Sequence, residues 1–334
     1  MVKWLSILIS FTAVFCFLSC ERKTSSTQQM TISVIPKGTT HVFWISIHAG
    51  AIKASKELNV KAIWMGPEKE DNRQQQIALV DNQVMNQVDG IVLAPLDAMA
   101  LRRPVRAAVR KNIPVVIIDS DLKDSEGIYV SFIATDNRKG GRIAGRELGR
   151  ILNGQGKVIM LRVLEGSAST ENREEGFLEA IREYPGIEVV SDEQHGGATK
   201  AQAQQVSENL LLRFKDKRGD LTIHGIFCPN ESTTYGMMQA LRRHRLAGNV
   251  KFVGFDATES LIEGLRKGEI DGLVVQNPFQ MGYLGVKTIV QHLRGEKVKK
   301  RIDTGVTYVA VNDLQKQEIQ DLIYPDLEKW LSQE

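Results

Sequence analysis

The feature that most constrains this chain is a repeated alternation of short apolar, β-branched runs with longer amphipathic segments. Strands are predicted over 31–36, 60–65, 90–94, 114–118 and 128–134, with helices over 42–58, 73–87 and 98–111 between them. The pattern then restarts with helices over 139–152, 170–183, 200–214, 232–245, 259–267 and 279–293, and strands over 157–161, 187–190, 223–227, 250–254 and 271–275. Strands separated by helices of this length imply βαβ units and parallel sheets. Near-continuous apolar strands imply sheets covered by helices on both faces. So many units exceed one comfortable sheet, so the expected fold is α/β: two doubly wound parallel-sheet lobes. No proline- or glycine-rich linker divides the chain, so several close crossings are expected between the lobes instead of one tether.

The first residues bear on the compartment. Lys3 gives a short positive start, residues 4–19 are apolar with few polar interruptions, and Glu21, Arg22 and Lys23 follow at once. That is the layout of a secretory signal and too short a run for a comfortable membrane span. Cys20 after Phe17, Leu18 and Ser19 resembles a bacterial lipobox, with Phe17 departing from the usual Leu. The expectation is a signal peptide over 1–19 and a lipidated Cys20 opening a tether over 20–29. The competing possibility is an ordinary signal peptide with Cys20 incidental. With Cys16 removed and Cys20 lipidated, Cys228 has no disulfide partner and reads as a small buried residue. The 43 Lys and Arg against 40 Asp and Glu give no support for nucleic acid as a partner.

Ligands of open α/β sheets bind beyond the carboxyl ends of the strands. The polar residues there are Lys37, Asp97, Asp119, Arg162, Asn230, Asp256 and Gln276 with Asn277. Carboxylates and amides make bidentate hydrogen bonds to adjacent hydroxyls, and Phe43 and Trp44 could stack on the apolar face of a ring. Each polar residue taken singly is more often a helix cap or turn residue; only the set points to a site.

Along 30–314 the chain resembles the type I periplasmic sugar-binding proteins of the ribose-binding branch. The resemblance rests on Thr31-Ile-Ser-Val-Ile, Asp89-Gly-Ile-Val-Leu-Ala-Pro, Ile113-Pro-Val-Val-Ile-Ile-Asp119, Ala134-Thr-Asp-Asn137, Gly140-Gly-Arg-Ile-Ala, Glu174-Glu-Gly-Phe177, Cys228-Pro-Asn-Glu231, Val253-Gly-Phe-Asp256 and Gln276-Asn-Pro-Phe-Gln-Met-Gly282. It implies two lobes, 30–135 plus 277–305 and 136–276 plus 306–334, that close about three crossing segments. It implies a sugar sandwiched by Phe43 and Trp44 and hydrogen-bonded by Asp119, Arg173, Asn230, Asp256 and Gln276. The partners it implies are a monosaccharide or related polyol and an ABC-type permease, with the membrane reached through the lipid anchor; the protein is expected to be a monomer without cofactor. Lys37, His41 and Ser120 depart from the ribose pattern, and Ala198 falls where the family has a second-lobe aromatic. Lys37, His41 and Arg173 suggest a more cationic pocket, which opens the alternative of a sugar acid.

Rival readings are weaker. Gly166-Ser-Ala-Ser169 lacks the second glycine of a nucleophile elbow. His41 and His48 could share a helix face but no third metal ligand follows. Gly140, Gly141 and Gly145 read as close helix packing instead of a dinucleotide loop. Asp119 and Asp256 could form an acid–base pair, yet both halves follow a binding-protein pattern, so no enzyme is expected. A repressor would carry a helix-turn-helix where this chain has its signal. A sensory module that presents its ligand to a membrane receptor stays open as the alternative to transport.

Overall fold

The computed structural model describes residues 29–125 and 127–332; the expected signal peptide and Cys20 lie outside them. The chain builds two six-stranded sheets. The first contains β1 (Thr31–Ile35), β2 (Lys61–Trp64), β3 (Gly90–Leu93), β4 (Val115–Ile118), β5 (Ser131–Ala134) and β11 (Arg301–Asp303), in the order β11-β5-β4-β3-β1-β2 and parallel throughout. The second contains β6 (Gln155–Met160), β7 (Gly186–Ser191), β8 (Gly225–Phe227), β9 (Lys251–Phe255), β10 (Gly272–Gln276) and β12 (Val306–Val309), in the order β12-β10-β9-β8-β6-β7. Here β12 runs antiparallel to β10 as an edge strand.

Both sheets are covered on two faces, as their unbroken apolar strands require. Ile91, Val92, Val115, Val116, Ile117 and Ile118 of the first sheet are wholly buried, and side chains of alternate parity feed separate cores on its two faces. The second sheet does the same with Ile226 on one face and Phe227 on the other. Helices α1 (Val42–Leu58) and α9 (Pro278–Leu293) pack together over the first sheet, and α4 (Asn137–Ile151) and α5 (Ala168–Ile181) over the second. The glycines of the second pair are there for close approach. A Cβ on Gly141 would stand 2.0 Å from the Arg173 carbonyl oxygen, and one on Gly176 2.1 Å from that of Arg138. Any side chain larger than hydrogen would push α5 away from α4.

The chain passes between the sheets from β5 into α4, from β10 into α9, and from β11 into β12. These strand ends bring the carboxyl ends of both sheets to face one another. Beyond α9 the sequence offered no elements, because β11 and β12 are short and carry alternating exposed residues. The tail also departs from expectation at its end. Helix α10 (Gln317–Ile323) buries Ile319 and Ile323 in the second lobe, but the short α11 (Glu328–Leu331) returns to α1 of the first.

Candidate functional site

The cleft between the strand ends is formed by both lobes. From the first come Lys37, His41, Phe43, Trp44, Glu70 and Asp119; from the second Ser169, Thr170, Arg173, Asn230, Glu231 and Asp256; Gln276 sits at a crossing. All nine residues expected from the sequence line this one pocket. Four others the sequence reading did not select: Glu70, Ser169, Thr170 and Glu231.

Each lobe places one aspartate in the same way. Asp119 follows β4 with φ 61°, and Asp256 follows β9 with φ 69°. The left-handed region costs a non-glycine residue about 1 kcal/mol or more, least for Asp and Asn. That turn aims both carboxylates back over the strand ends. Their surroundings differ. Asp119 Oδ2 lies 2.8 Å from Lys37 Nζ. Asp256 is held by neutral donors, Gln276 Nε2 at 2.6 Å and the Glu231 backbone N–H at 2.9 Å. Burial pushes the Asp256 carboxyl up to about 6, and the nearby Arg173 guanidinium and these hydrogen bonds only partly oppose it.

Lys37, 3% exposed, spends its three N–H donors on Asp119 Oδ2, Ser169 Oγ at 2.8 Å and Ser167 Oγ at 3.2 Å. The two serines belong to the second lobe, so Lys37 ties the lobes together. Arg173 donates from Nε to Asn137 Oδ1 at 2.8 Å and from Nη1 to the Pro229 carbonyl at 2.9 Å, with its guanidinium carbon 4.1 Å from the Phe255 ring centre. Its Nη2, 3.9 Å from Asp119 Oδ1, is the end that faces across the cleft.

His41 Nδ1 lies 2.6 Å from Glu70 Oε1, and Trp44 Nε1 donates to the same oxygen at 2.7 Å. Burial works against charge on both His41 and Glu70, but their mutual attraction outweighs it. The imidazole is raised above its ordinary value, and Glu70, helped by Lys37 and Trp44, is lowered. Glu231 completes the ring of charges. Its Oε1 is 2.7 Å from Lys200 Nζ, and its Oε2 accepts the Phe43 backbone N–H across the cleft at 3.2 Å. That N–H is one of the unpaired donors at the start of α1, where no side chain of its own lobe caps the helix.

The three expected cations do not stand alone in the pocket. Lys37, His41 and Arg173 face Glu70, Asp119, Glu231 and Asp256, and the cations are matched by carboxylates. The lobes are also unequal in shape. Phe43 and Trp44 meet edge to face, with ring centres 4.9 Å apart, and are the only Phe, Tyr or Trp lining the pocket among the described residues. Trp44 is 2% exposed and belongs mainly to the core. The second lobe supplies hydroxyls, amides and charges; Ala198 is buried and lines nothing here.

Of the other strand-end residues, Arg162 is engaged by Glu174 at 2.7 Å, Asp97 by Arg73 at 2.9 Å, and Asn277 caps α9. They serve the frame. Asn230 does both jobs: its Oδ1 caps α7 (Glu231–Arg243) through the Thr233 N–H at 3.0 Å, which leaves its NH₂ to offer the pocket. His48 stacks on Trp64 with ring centres 4.4 Å apart. Among the described residues no cluster of three or more His, Cys, Asp or Glu is placed to hold a metal ion, and no helix is long and apolar enough to cross a membrane.

The lobes touch around this pocket. The Ser169 N–H donates to Ser120 Oγ at 3.1 Å, the Ala98 N–H to the Gly166 carbonyl at 2.9 Å, and Arg73 to the Glu165 carbonyl at 2.7 Å. The space left between the lobes here is about 30 Å³, room for two or so waters. Among the described side chains that line this pocket, Gln276 Oε1, on a side chain 2% exposed, is a buried acceptor with neither a hydrogen-bond nor an ion-pair partner.

The comparisons with known proteins agree with this geometry. Residues 32–297 match the periplasmic binding protein domain. The ribose import binding protein of Haemophilus influenzae is 28% identical over 288 residues, 86% of this chain and 93% of that protein. A carbohydrate transporter solute-binding protein from Agrobacterium radiobacter, solved with D-arabinose, superimposes with a TM-score of 0.83 at 33% identity, covering 89% of this chain and all of that one. An ABC transporter solute-binding protein from Agrobacterium vitis with bound D-fucose gives 0.83 at 34% identity, covering 88% of this chain and all of that one. With two lobes facing across a charge-balanced cleft, and a family match over most of its length, this chain belongs to the periplasmic binding protein family.

Proposed function

We propose that the protein captures a neutral monosaccharide or related polyol between its closing lobes and delivers it to an ABC-type permease from the periplasm, held to the membrane through a lipidated Cys20. One observation carries this reading. The pocket's three cations stand among four carboxylates, yet the buried Gln276 Oε1 has no partner. An unsatisfied buried acceptor costs about 1–3 kcal/mol. A ligand hydroxyl is the group that would satisfy it without bringing net charge. The Asp119 and Asp256 carboxylates and the Asn230 NH₂ offer further partners for vicinal hydroxyls. The relatives solved with D-arabinose and D-fucose point to the same ligand class.

The mechanism is a biased hinge. A sugar resting on Phe43, Trp44 and Asp119 meets Arg173, Asn230 and Asp256 only when the lobes close, so the ligand favours the closed arrangement by its differential contacts. Closing also brings Lys37 to Ser167 and Ser169, and Glu231 to the start of α1. A sugar acid is disfavoured, since its carboxylate would meet four carboxylates and only three cations.

A thermal-shift screen of pentoses, hexoses, polyols and sugar acids tests the reading. Stabilisation by a neutral sugar, lost in Gln276→Leu, is expected. Stabilisation by sugar acids alone, or by no compound, would overturn it. The anchor is tested separately: Cys20→Ser should release the protein from the membrane fraction.

A further inference from the structure

A second cavity adjoins the sugar pocket and shares Phe43, Glu231, Asp256 and Gln276 with it. Its volume is about 280 Å³, against about 30 Å³ for the pocket itself. Beyond the shared neck its walls are mainly apolar, with Val42, Ala257, Val275, Pro278, Leu322 and Leu327. The roof is the tail of the chain, which leaves α10 on the second lobe, passes through residues 324–327, and reaches α1 of the first lobe as α11.

The polar groups on this wall are mostly engaged. Thr258 Oγ1 caps α8 (Glu259–Arg266), Glu259 pairs with Arg266 at 3.2 Å, and the Tyr324 hydroxyl accepts from Arg266 at 2.9 Å. Two are not. Ser46 Oγ, on a side chain 4% exposed and one turn along α1 from Phe43, has no partner among the described residues, and Gln276 Oε1 has none at the neck. A second sugar unit would bring several hydroxyls to a wall with one free hydroxyl to answer them. An apolar group attached through a single oxygen fits both facts. The oxygen takes the Ser46 hydroxyl as donor, and the apolar group fills the space beyond. An apolar cavity of about 150 Å³ suffices for a benzene ring.

We propose that the sugar site extends into this annexe, and that the protein takes glycosides whose apolar aglycone lies under the C-terminal tail. This rests on the reading of the pocket as a sugar site. It accounts for a tail that crosses from one lobe to the other at the mouth of the cleft, where it shields apolar wall from water.

Calorimetry on the full mature protein tests it with D-ribose, D-allose, D-arabinose and D-fucose, and with the methyl and phenyl glycosides of each in both anomers. The phenyl glycoside of at least one sugar should bind about tenfold or more tighter than its methyl glycoside, since a buried phenyl ring removes a large apolar area from water. Leu322→Trp, which fills the annexe, should abolish that gain and leave the affinity for the free sugar unchanged. Leu327→Ala, which opens the roof, should reduce the gain, and serves as the second variant should the first misfold. Phenyl glycosides that bind no better than methyl glycosides, or a gain that survives Leu322→Trp, would overturn the annexe while leaving the sugar site intact. Failure of every free sugar and every glycoside would overturn both.

Discussion

The two lobes present the same device with opposite energetics. Each carries an aspartate in the left-handed region just past a central strand, Asp119 at φ 61° and Asp256 at φ 69°. The first lobe sets a lysine against its carboxylate at 2.8 Å. The second surrounds its carboxylate with an amide and a backbone N–H, and burial then pushes it up to about 6. The first lobe also holds the pocket's aromatics, Phe43 and Trp44; the second holds its hydroxyls and amides. The difference teaches a division of labour. The first lobe is a finished half-site that can receive the apolar face of a ring. The second has a carboxylate poorly satisfied by the protein, and it gains most from the ligand's hydroxyls.

Removing each aspartate is the strongest way to break that comparison. Asp119→Ala leaves Lys37 buried without its counter-charge. It should cost about 3 kcal/mol of stability or more and abolish sugar binding, as read by denaturant melts and calorimetry. Asp256→Asn should leave stability unchanged or raised at pH 8, because it removes an ill-solvated charge, yet weaken binding. Equal loss of stability in both variants would erase the distinction.

Gly141→Ala acts on the second lobe alone. Its Cβ would stand 2.0 Å from the Arg173 carbonyl oxygen, so α5 must shift and carry Arg173 with it. A cost of about 1–3 kcal/mol in stability is expected, with reduced affinity. Unchanged affinity would mean that Arg173 is not part of the closing contact.

The sign of the pH dependence follows from Asp256. Its carboxyl stands near 6 in the folded protein against an ordinary value of 3.8, so the penalty of its charge is present above pH 6 and relieved as pH falls through 6. A hydroxyl donor favours the ionised form, so affinity should be highest above pH 6 and about tenfold lower at pH 5. Binding near pH 6 should release a proton, measurable by calorimetry in buffers of different ionisation enthalpy. Asp256→Asn should flatten this profile. The smallest effect belongs to Phe43→Ala: loss of one stacking face, worth about 0.5–1.5 kcal/mol, lowers affinity several-fold without altering the pH profile.

Most of the frame was legible because hydrophobic periodicity reports sheets covered on both faces, and strand ends follow from it. Lys37, Asp119, Asn230, Asp256 and Gln276 converge for that reason, whereas His41 and Arg173 were reached only through the resemblance to the sugar-binding family. Glu231 was missed although it stands next to Asn230, because a residue in the first turn of a helix looks like a favourable charge at the helix dipole; only the neighbouring lobe shows that it also caps α1 through Phe43. Glu70 comes from the loop after the edge strand β2, and nothing local distinguishes it from Glu68. The pocket's carboxylates were only half legible for the same reason. Lys37, His41 and Arg173 were visible at family positions, while two of their opposing carboxylates were not. Beyond α9, β11 and β12 are too short and too exposed to carry a period.

The central claim, a neutral ligand in a charge-matched pocket, is tested most directly by titrating the mature protein with D-galactose and D-galacturonate in parallel. The two differ only in replacing a hydroxymethyl group by a carboxylate. Weaker binding of the acid by at least tenfold, or binding of the neutral sugar alone, is the predicted result. Tighter binding of galacturonate would contradict the account.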